Sequence, residues 1–295
     1  MANALGVSLG ARRVWQRSAG ASVQWDSVTL DGEEVRYLRA GSGSTLLFLH
    51  GWGLGPLAYR KPIEALAELG LEVIAPCLPA FAGTKELKGA DMSFRGYSAW
   101  VKRFLDASRP GARPVVVGHS FGGGVSVAFC ADHLQSVSGI VLANSVGSPT
   151  WMGGSRSQSM DQRPLWDWGI ELGVDLLQIP QLFRILPAVL EDAVPNLFGN
   201  PVGLWRVANL IRGADLTSDM RRIKRARLPV SVVWSDRDRL VPGASFDAMC
   251  DALAVKGRIV EGNHAWLMAD PTILAHLVAN VVTEAALSGT VNPAS

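Results

Sequence analysis

The order of apolar segments predicts an α/β fold: a doubly wound, mainly parallel sheet of about eight strands carrying a helical cap insertion. Three observations carry this expectation. From about residue 25 onward, short apolar runs that end in turn residues alternate with amphipathic segments of helical length. Between 148 and 227 the alternation stops, and helical stretches punctuated by Pro164, Pro180, Pro187, Pro195 and Pro201 take over. After 228 the alternation resumes, so the sheet is completed beyond the interruption. The chain of 295 residues therefore divides into an N-terminal extension (1–24), a first part of the α/β core (25–147), the cap (148–227) and a second part of the core (228–295).

The elements follow in order. Segments 27–30 and 34–38 flank Asp31-Gly32, a two-residue hairpin signal. Segment 45–49 is wholly apolar, as a strand covered on both faces must be. A helix over 56–69 is stopped by Gly70, and 71–75 is the next buried strand. Over 94–108, Tyr97, Trp100, Val101, Phe104 and Leu105 fall on one helical face and Lys102 and Arg103 on the other. Strand 114–117, helix 122–133 and strand 137–142 continue the pattern. No strand is expected within the insertion. Strand 230–234, helix 244–255, strand 258–261 and a last helix over 271–285 close the chain.

Composition narrows the function. Hydrophobic residues make up 48% and charged residues 18%, which excludes disorder as the main state. The formal net charge of +2 gives no clustered basic field, so nucleic acid is not an expected partner. Cys77, Cys130 and Cys250 are scattered without metal-ligand or disulfide spacing and read as small apolar residues of a reducing, cytoplasmic protein. No stretch approaches a membrane span. The arginines at 12, 13 and 17 follow the short apolar segment 4–9 instead of preceding a long one, unlike a secretory signal. No metal or organic cofactor is implied, and the oligomeric state is left open.

The chemistry concentrates in three places. Gly118-His119-Ser120-Phe121-Gly122 fits G-x-S-x-G between a buried strand and a helix, the context a nucleophile elbow requires. Small flanking residues let the turn be sharp, and the helix N-terminus directs N–H groups at the serine. Asp236 and Asp238 follow strand 230–234, and His264 follows strand 258–261. All three positions lie beyond strand C-terminal ends, where such sheets build ligand sites. The order Ser, Asp, His is one of the convergent solutions to the catalytic triad. His133 and His276, on helices away from the strand ends, read as structural residues, and the basic residues between Arg221 and Arg227 as a solvated face.

With His50-Gly51-Trp52-Gly53, the serine elbow, the Asp238 loop and Gly262-Asn263-His264 in place, the chain resembles the α/β-hydrolase fold family, serine branch with a helical cap, over roughly residues 25–287. The resemblance implies Ser120 as nucleophile, His264 as general base and acid, and Asp238, four residues past Trp234 and followed by Leu240-Val241-Pro242, as the acid of the triad. It implies the backbone N–H groups of Trp52 and Phe121 as the oxyanion hole, with the Trp52 side chain as a wall of the acyl pocket and His50 packed beneath that loop. His119, inside the elbow, shapes the pocket edge, and Trp168, in the dense apolar stretch of the cap, is expected beside the substrate. One departure stands out. Where the family carries Asp-x-Pro-Gly-x-Gly, this chain reads Cys77-Leu78-Pro79-Ala80-Phe81-Ala82, so the turn must either change path or bear strain.

A serine nucleophile disfavours the carbon–halogen and epoxide chemistries of this fold, which use a carboxylate. It favours esters, thioesters and lactones, taken through an acyl-enzyme. The dense apolar sequence of the cap points to a small or medium apolar ester as substrate. The alternatives are a cofactor-free haloperoxidase or perhydrolase, told apart by peroxide dependence, and a low-turnover binding protein, told apart by ligand binding that survives loss of Ser120.

Overall fold

The computed structural model describes residues 22–153, 156–159 and 182–288, the backbone alone at 150–153, 156–159, 182–189 and 192. Strands β1 (Gln24–Leu30) and β2 (Glu33–Ala40) form an antiparallel hairpin. Its Asp31-Gly32 turn has φ of 52° and 80°, the left-handed pair that a two-residue hairpin demands. Then come β3 (Ser44–Leu49), β4 (Leu71–Pro76), β5 (Val115–His119), β6 (Gly139–Ala143), β9 (Val230–Ser235) and β10 (Arg258–Val260). The eight-stranded sheet has the order β1-β2-β4-β3-β5-β6-β9-β10, and every pairing from β4 to β10 is parallel.

Alternation along the central strands feeds two cores. Leu47, Leu49 and Val116 point to one face, where they pack with Val101 and Phe104 of α2 (Phe94–Ser108) and Val125 and Phe129 of α3 (Phe121–Asp132). Leu46, Phe48, Val115 and Val117 point to the other, against Ile63 and Leu66 of α1 (Arg60–Ala67) and Leu274 and Val278 of the last helix, Thr272–Leu287. Both faces are dry, which is why these strands read as unbroken apolar runs. Helix α2 has the bounds its periodicity predicts, and its N-cap Ser93 accepts a hydrogen bond from Gly96 N at 3.1 Å.

Two segments differ from expectation. The helix foreseen over 56–69 begins as a 3-10 turn, Pro56–Tyr59, and becomes α-helical only at Arg60. Pro62 has no N–H to donate back to Ala58, so the α-helix can start only where that proline falls in its first turn. The insertion, read as strand-free, contains a two-stranded hairpin, β7 (Thr150–Gly153) with β8 (Arg156–Ser159). Four-residue strands are too short for alternation to be legible, although Gly154-Ser155, the dipeptide between them in the sequence, is of a hairpin-forming type.

Between β8 and β9 run α4 (Leu182–Gly199), α5 (Pro201–Arg212) and α6 (Thr217–Arg225). α4 packs on the Pro56–Tyr59 turn, and α6 lies against α3. On α6 the buried Asp219 pairs with Arg95 of α2, while Arg221, Lys224 and Arg225 are exposed. After β9 come α7 (Gly243–Leu253), the short α8 (Trp266–Ala269) and α9 (Thr272–Leu287). No described helix is long and apolar enough to cross a membrane. Cys77 and Cys130 are buried, Cys250 is partly buried, and none is in a disulfide.

Candidate active site

Ser120 sits between β5 and α3 with φ 53° and ψ −118°, a strained conformation for a residue with a side chain. Its backbone is held on every side: Ser120 N donates to Ala143 O at 3.1 Å, and Ser120 O accepts from Gly123 N, Gly124 N and Val146 N at 3.0, 3.3 and 3.2 Å. The flanking glycines are obligatory. A Cβ on Gly118 would lie 2.3 Å from Ser126 Oγ, and one on Gly122 would lie 2.1 Å from Leu49 O.

His264 follows β10, and its Nδ1 donates to Asp238 Oδ2 at 2.8 Å. Asp238 lies in the loop after β9 with its side chain wholly buried. Its other oxygen accepts from Leu240 N at 2.7 Å and Val241 N at 2.9 Å, a short turn that aims the carboxylate at the histidine. Asp236 lies at the surface, where its Oδ1 accepts from Gly262 N at 3.0 Å and braces the histidine loop.

A second group, absent from any motif, surrounds the acid. Asn144, at the end of β6, donates to Asp238 Oδ2 and to Ser235 Oγ at 2.5 and 2.7 Å, while its own Oδ1 accepts from Trp266 Nε1 at 2.7 Å. Ser235 Oγ in turn donates to Asn263 O at 2.9 Å. The sequence signal for Asn144 was its place at a strand C-terminal end, next to the strand of the serine.

The two histidines near the loop after β3 are packing groups with defined tautomers. His50 Nε2 accepts from Leu78 N at 3.0 Å and its Nδ1 donates to Gly51 O at 2.9 Å. Complete burial pushes its pKa down to about 4. His119 is held neutral by burial and by the neighbouring His264 ring, whose centroid is 4.7 Å away. Its Nε2 therefore donates to His264 O at 2.9 Å, which leaves Nδ1 to accept from Tyr59 Oη at 2.8 Å. Tyr59 Oη accepts from Gly51 N at 3.0 Å. One directed chain of hydrogen bonds thus runs from the loop after β3 to the loop of His264.

Ser120, His264, Trp52 and His119 line one pocket, walled by Leu54, Val146, Ile211, Leu240, Val241 and Met268. Phe121 is not among the residues that line it; its ring is wholly buried, edge-on to Tyr97. As the first residue of α3 it carries an N–H with no partner inside the helix. Trp52 Nε1 donates to Leu204 O of α5 at 2.9 Å. Trp168 lies outside the described residues. Among the described residues, no group of three or more His, Cys, Asp or Glu is placed to hold a metal ion.

The departure at 77–84 resolves as strain. Ala80 and Ala82, at the two glycine positions of the family pattern, keep left-handed φ values of 78° and 48°. The turn holds them with Ala80 N to Thr84 O at 3.1 Å, Thr84 Oγ1 to Cys77 O at 2.8 Å and Tyr97 Oη to Pro79 O at 2.9 Å.

The sequence profile of the Alpha/beta hydrolase family matches residues 46–277, spanning the elbow, the Asp238 loop and His264. The chain belongs to the alpha/beta hydrolase family. It is 29% identical over 82% of its length to a dihydrolipoyllysine-residue acetyltransferase component of the acetoin cleaving system of Cupriavidus necator, and the match spans only 64% of that longer protein. It is 26% identical to a putative non-heme haloperoxidase of Mycobacterium phage D29, over 85% of this chain and 92% of that one. A solved serine hydrolase involved in carbazole degradation superposes with a TM-score of 0.71 at 19% identity, covering 89% of this chain and 99% of that one, and attests the hydrolase fold.

Proposed function

We propose that the protein is a serine hydrolase that cleaves a carboxylic ester, thioester or lactone of a small to medium apolar substrate through an acyl-enzyme. One observation carries this reading: Ser120 and His264 line the same apolar pocket, and His264 is oriented from behind by the buried Asp238 at 2.8 Å. With Nδ1–H committed to Asp238, the imidazole presents Nε2 as the base. It takes the Ser120 proton as Oγ attacks the acyl carbon and returns that proton to the leaving oxygen or sulfur. Water then attacks the acyl-enzyme by the same route, regenerating the serine. The negative charge of each tetrahedral intermediate falls to the backbone N–H groups of Phe121 and Trp52, donors worth roughly 3 kcal/mol each in such sites. The pocket wall is aliphatic and aromatic, which supports an uncharged acyl or alcohol group.

The test is steady-state hydrolysis of p-nitrophenyl esters from acetate to palmitate by the wild type and Ser120→Ala. The expected result is turnover with one chain-length optimum and a fall in kcat of about 10⁴-fold or more in the variant. Turnover that survives Ser120→Ala, or no turnover by the wild type across the series, overturns the reading.

A further inference from the structure

We propose that Asn196 is a positioning residue through which the cap holds the oxyanion loop in its working shape, an inference that rests on the serine-hydrolase reading above. Asn196 lies on α4 and is 4% exposed. Its Nδ2 donates to Gly53 O at 3.1 Å, and its Oδ1 accepts from Ala82 N at 2.6 Å. The amide can take only this orientation, because a backbone carbonyl cannot donate and a backbone N–H cannot accept.

Each partner matters. Gly53 follows Trp52, whose N–H is the oxyanion donor assigned to this loop, and its φ of 78° lets the chain turn sharply there. The indole of Trp52 is anchored separately, by Leu204 O of α5 at 2.9 Å. The donor residue is thus fixed from two cap helices, by its own side chain and by the carbonyl of the residue after it. The second partner, Ala82, is a non-glycine residue in a left-handed conformation, and its N–H is satisfied by this amide. One buried amide therefore ties together the cap, the oxyanion loop and the strained turn.

The direction of the effect follows from preorganisation. An oxyanion donor helps only if it already points at the place where charge will develop, and small displacements lose most of the benefit. Ground-state binding depends instead on the apolar wall, to which Asn196 contributes no lining atoms. Loss of the amide should lower kcat and leave KM nearly unchanged.

The full-length chain tests this with Asn196→Ala, Asn196→Asp and, as a control, Arg206→Ala. Arg206 of α5 pairs with Glu86 at 2.7 Å, a cap-to-core contact that reaches neither Gly53 nor Ala82. Two rates are read: turnover of the best p-nitrophenyl ester, and phosphonylation of Ser120 by a p-nitrophenyl phosphonate, whose attack places charge in the same hole. Asn196→Ala is expected to lose about tenfold or more in kcat and in phosphonylation rate, with KM within about twofold. Asn196→Asp keeps the acceptor for Ala82 N, removes the donor to Gly53 O and should lose as much. Arg206→Ala should keep the wild-type kcat. Combining Asn196→Ala with Ala82→Gly should recover thermal stability without recovering kcat.

Unchanged kcat in both Asn196 variants overturns the proposal, as does a loss carried by KM alone or an equal loss in Arg206→Ala. If Asn196→Ala does not fold, the near-isosteric Asn196→Asp decides the matter. Wild-type turnover that does not depend on Ser120 overturns the serine-hydrolase reading, and this proposal with it. Ser120-dependent turnover with unaltered variants overturns this proposal alone.

Discussion

Asn144 adopts a left-handed backbone conformation, φ 45°, at the end of β6, which asparagine tolerates better than most residues. Its side chain joins three segments: the Asp238 loop, Ser235 at the end of β9 and Trp266 of α8. Replacing it with alanine leaves the Trp266 N–H without its acceptor and removes one donor from Asp238, both in buried surroundings. Asn144→Ala should therefore cost about 2–4 kcal/mol of stability, measured by urea unfolding, and should lower kcat with KM held. Asn144→Asp is the harsher change, since it sets a second carboxylate against Asp238. Motif reading named Ser120, Asp238 and His264 because their chemistry has few substitutes and their spacing follows strand ends. Asn144 shares the strand-end placement but not the distinctive chemistry, and Asn196 has neither. Asn196 meets Gly53 across 143 residues of chain, a contact that only the folded cap creates.

Among the elements, the turn at 77–84 has the most unusual backbone. Two alanines hold angles that glycine adopts freely, and hydrogen bonds from α4 and α2 keep them there. Ala82→Gly should relieve strain of about 1–2 kcal/mol against a chain-entropy cost of roughly 0.5–1 kcal/mol, so a small net gain in stability is expected. Ala80→Gly should gain less or nothing, because Ala80 is 2% exposed and its methyl contributes about 0.8 kcal/mol of burial. Parallel urea titrations of the two variants check the ordering. The elements themselves were legible to very different degrees. α2 could be bounded to the residue because an apolar face of nearly four turns ends on a serine cap. The central strands were legible because burial on both faces leaves no polar positions. The hairpin β7–β8 was not, since its pairing is set by two four-residue strands with little alternation. The 3-10 start at Pro56 was missed because a first helical turn looks alike in sequence whichever carbonyl it uses.

For the whole molecule, the buried titratable groups set the response to pH. Burial holds the folded pKa of His50 at about 4, below its ordinary 6.5, and holds His119 well below that ordinary value too. Above about pH 6.5 these rings are neutral in both states and their full contribution is present. As pH falls from 6.5 toward 4, the unfolded chain binds protons that the folded protein refuses, and stability drops, by about 3 kcal/mol from His50 alone. Glu72 acts lower in the range. Arg109, with Arg39 beside it, holds its carboxyl below the usual value of 4.5, so its contribution is lost only as pH falls through that lowered value. The urea midpoint should be flat above pH 7, decline from 6.5 to 4 and decline again below. A midpoint unchanged between pH 7 and pH 5 would contradict this account. The carbonyl of Ser120, meanwhile, takes three amides, from Gly123 and Gly124 of α3 and from Val146 in the loop after β6, and all three donor residues are buried. In terms of amide exchange, those hydrogens are freed only when α3 and its neighbouring loop part from the sheet, whereas the proposed hold on the loop after β3 depends on a few side-chain contacts from α4 and α5. Partial loosening would then leave a nucleophile still aligned but without its electrostatic support, so that catalytic power declines before the fold does.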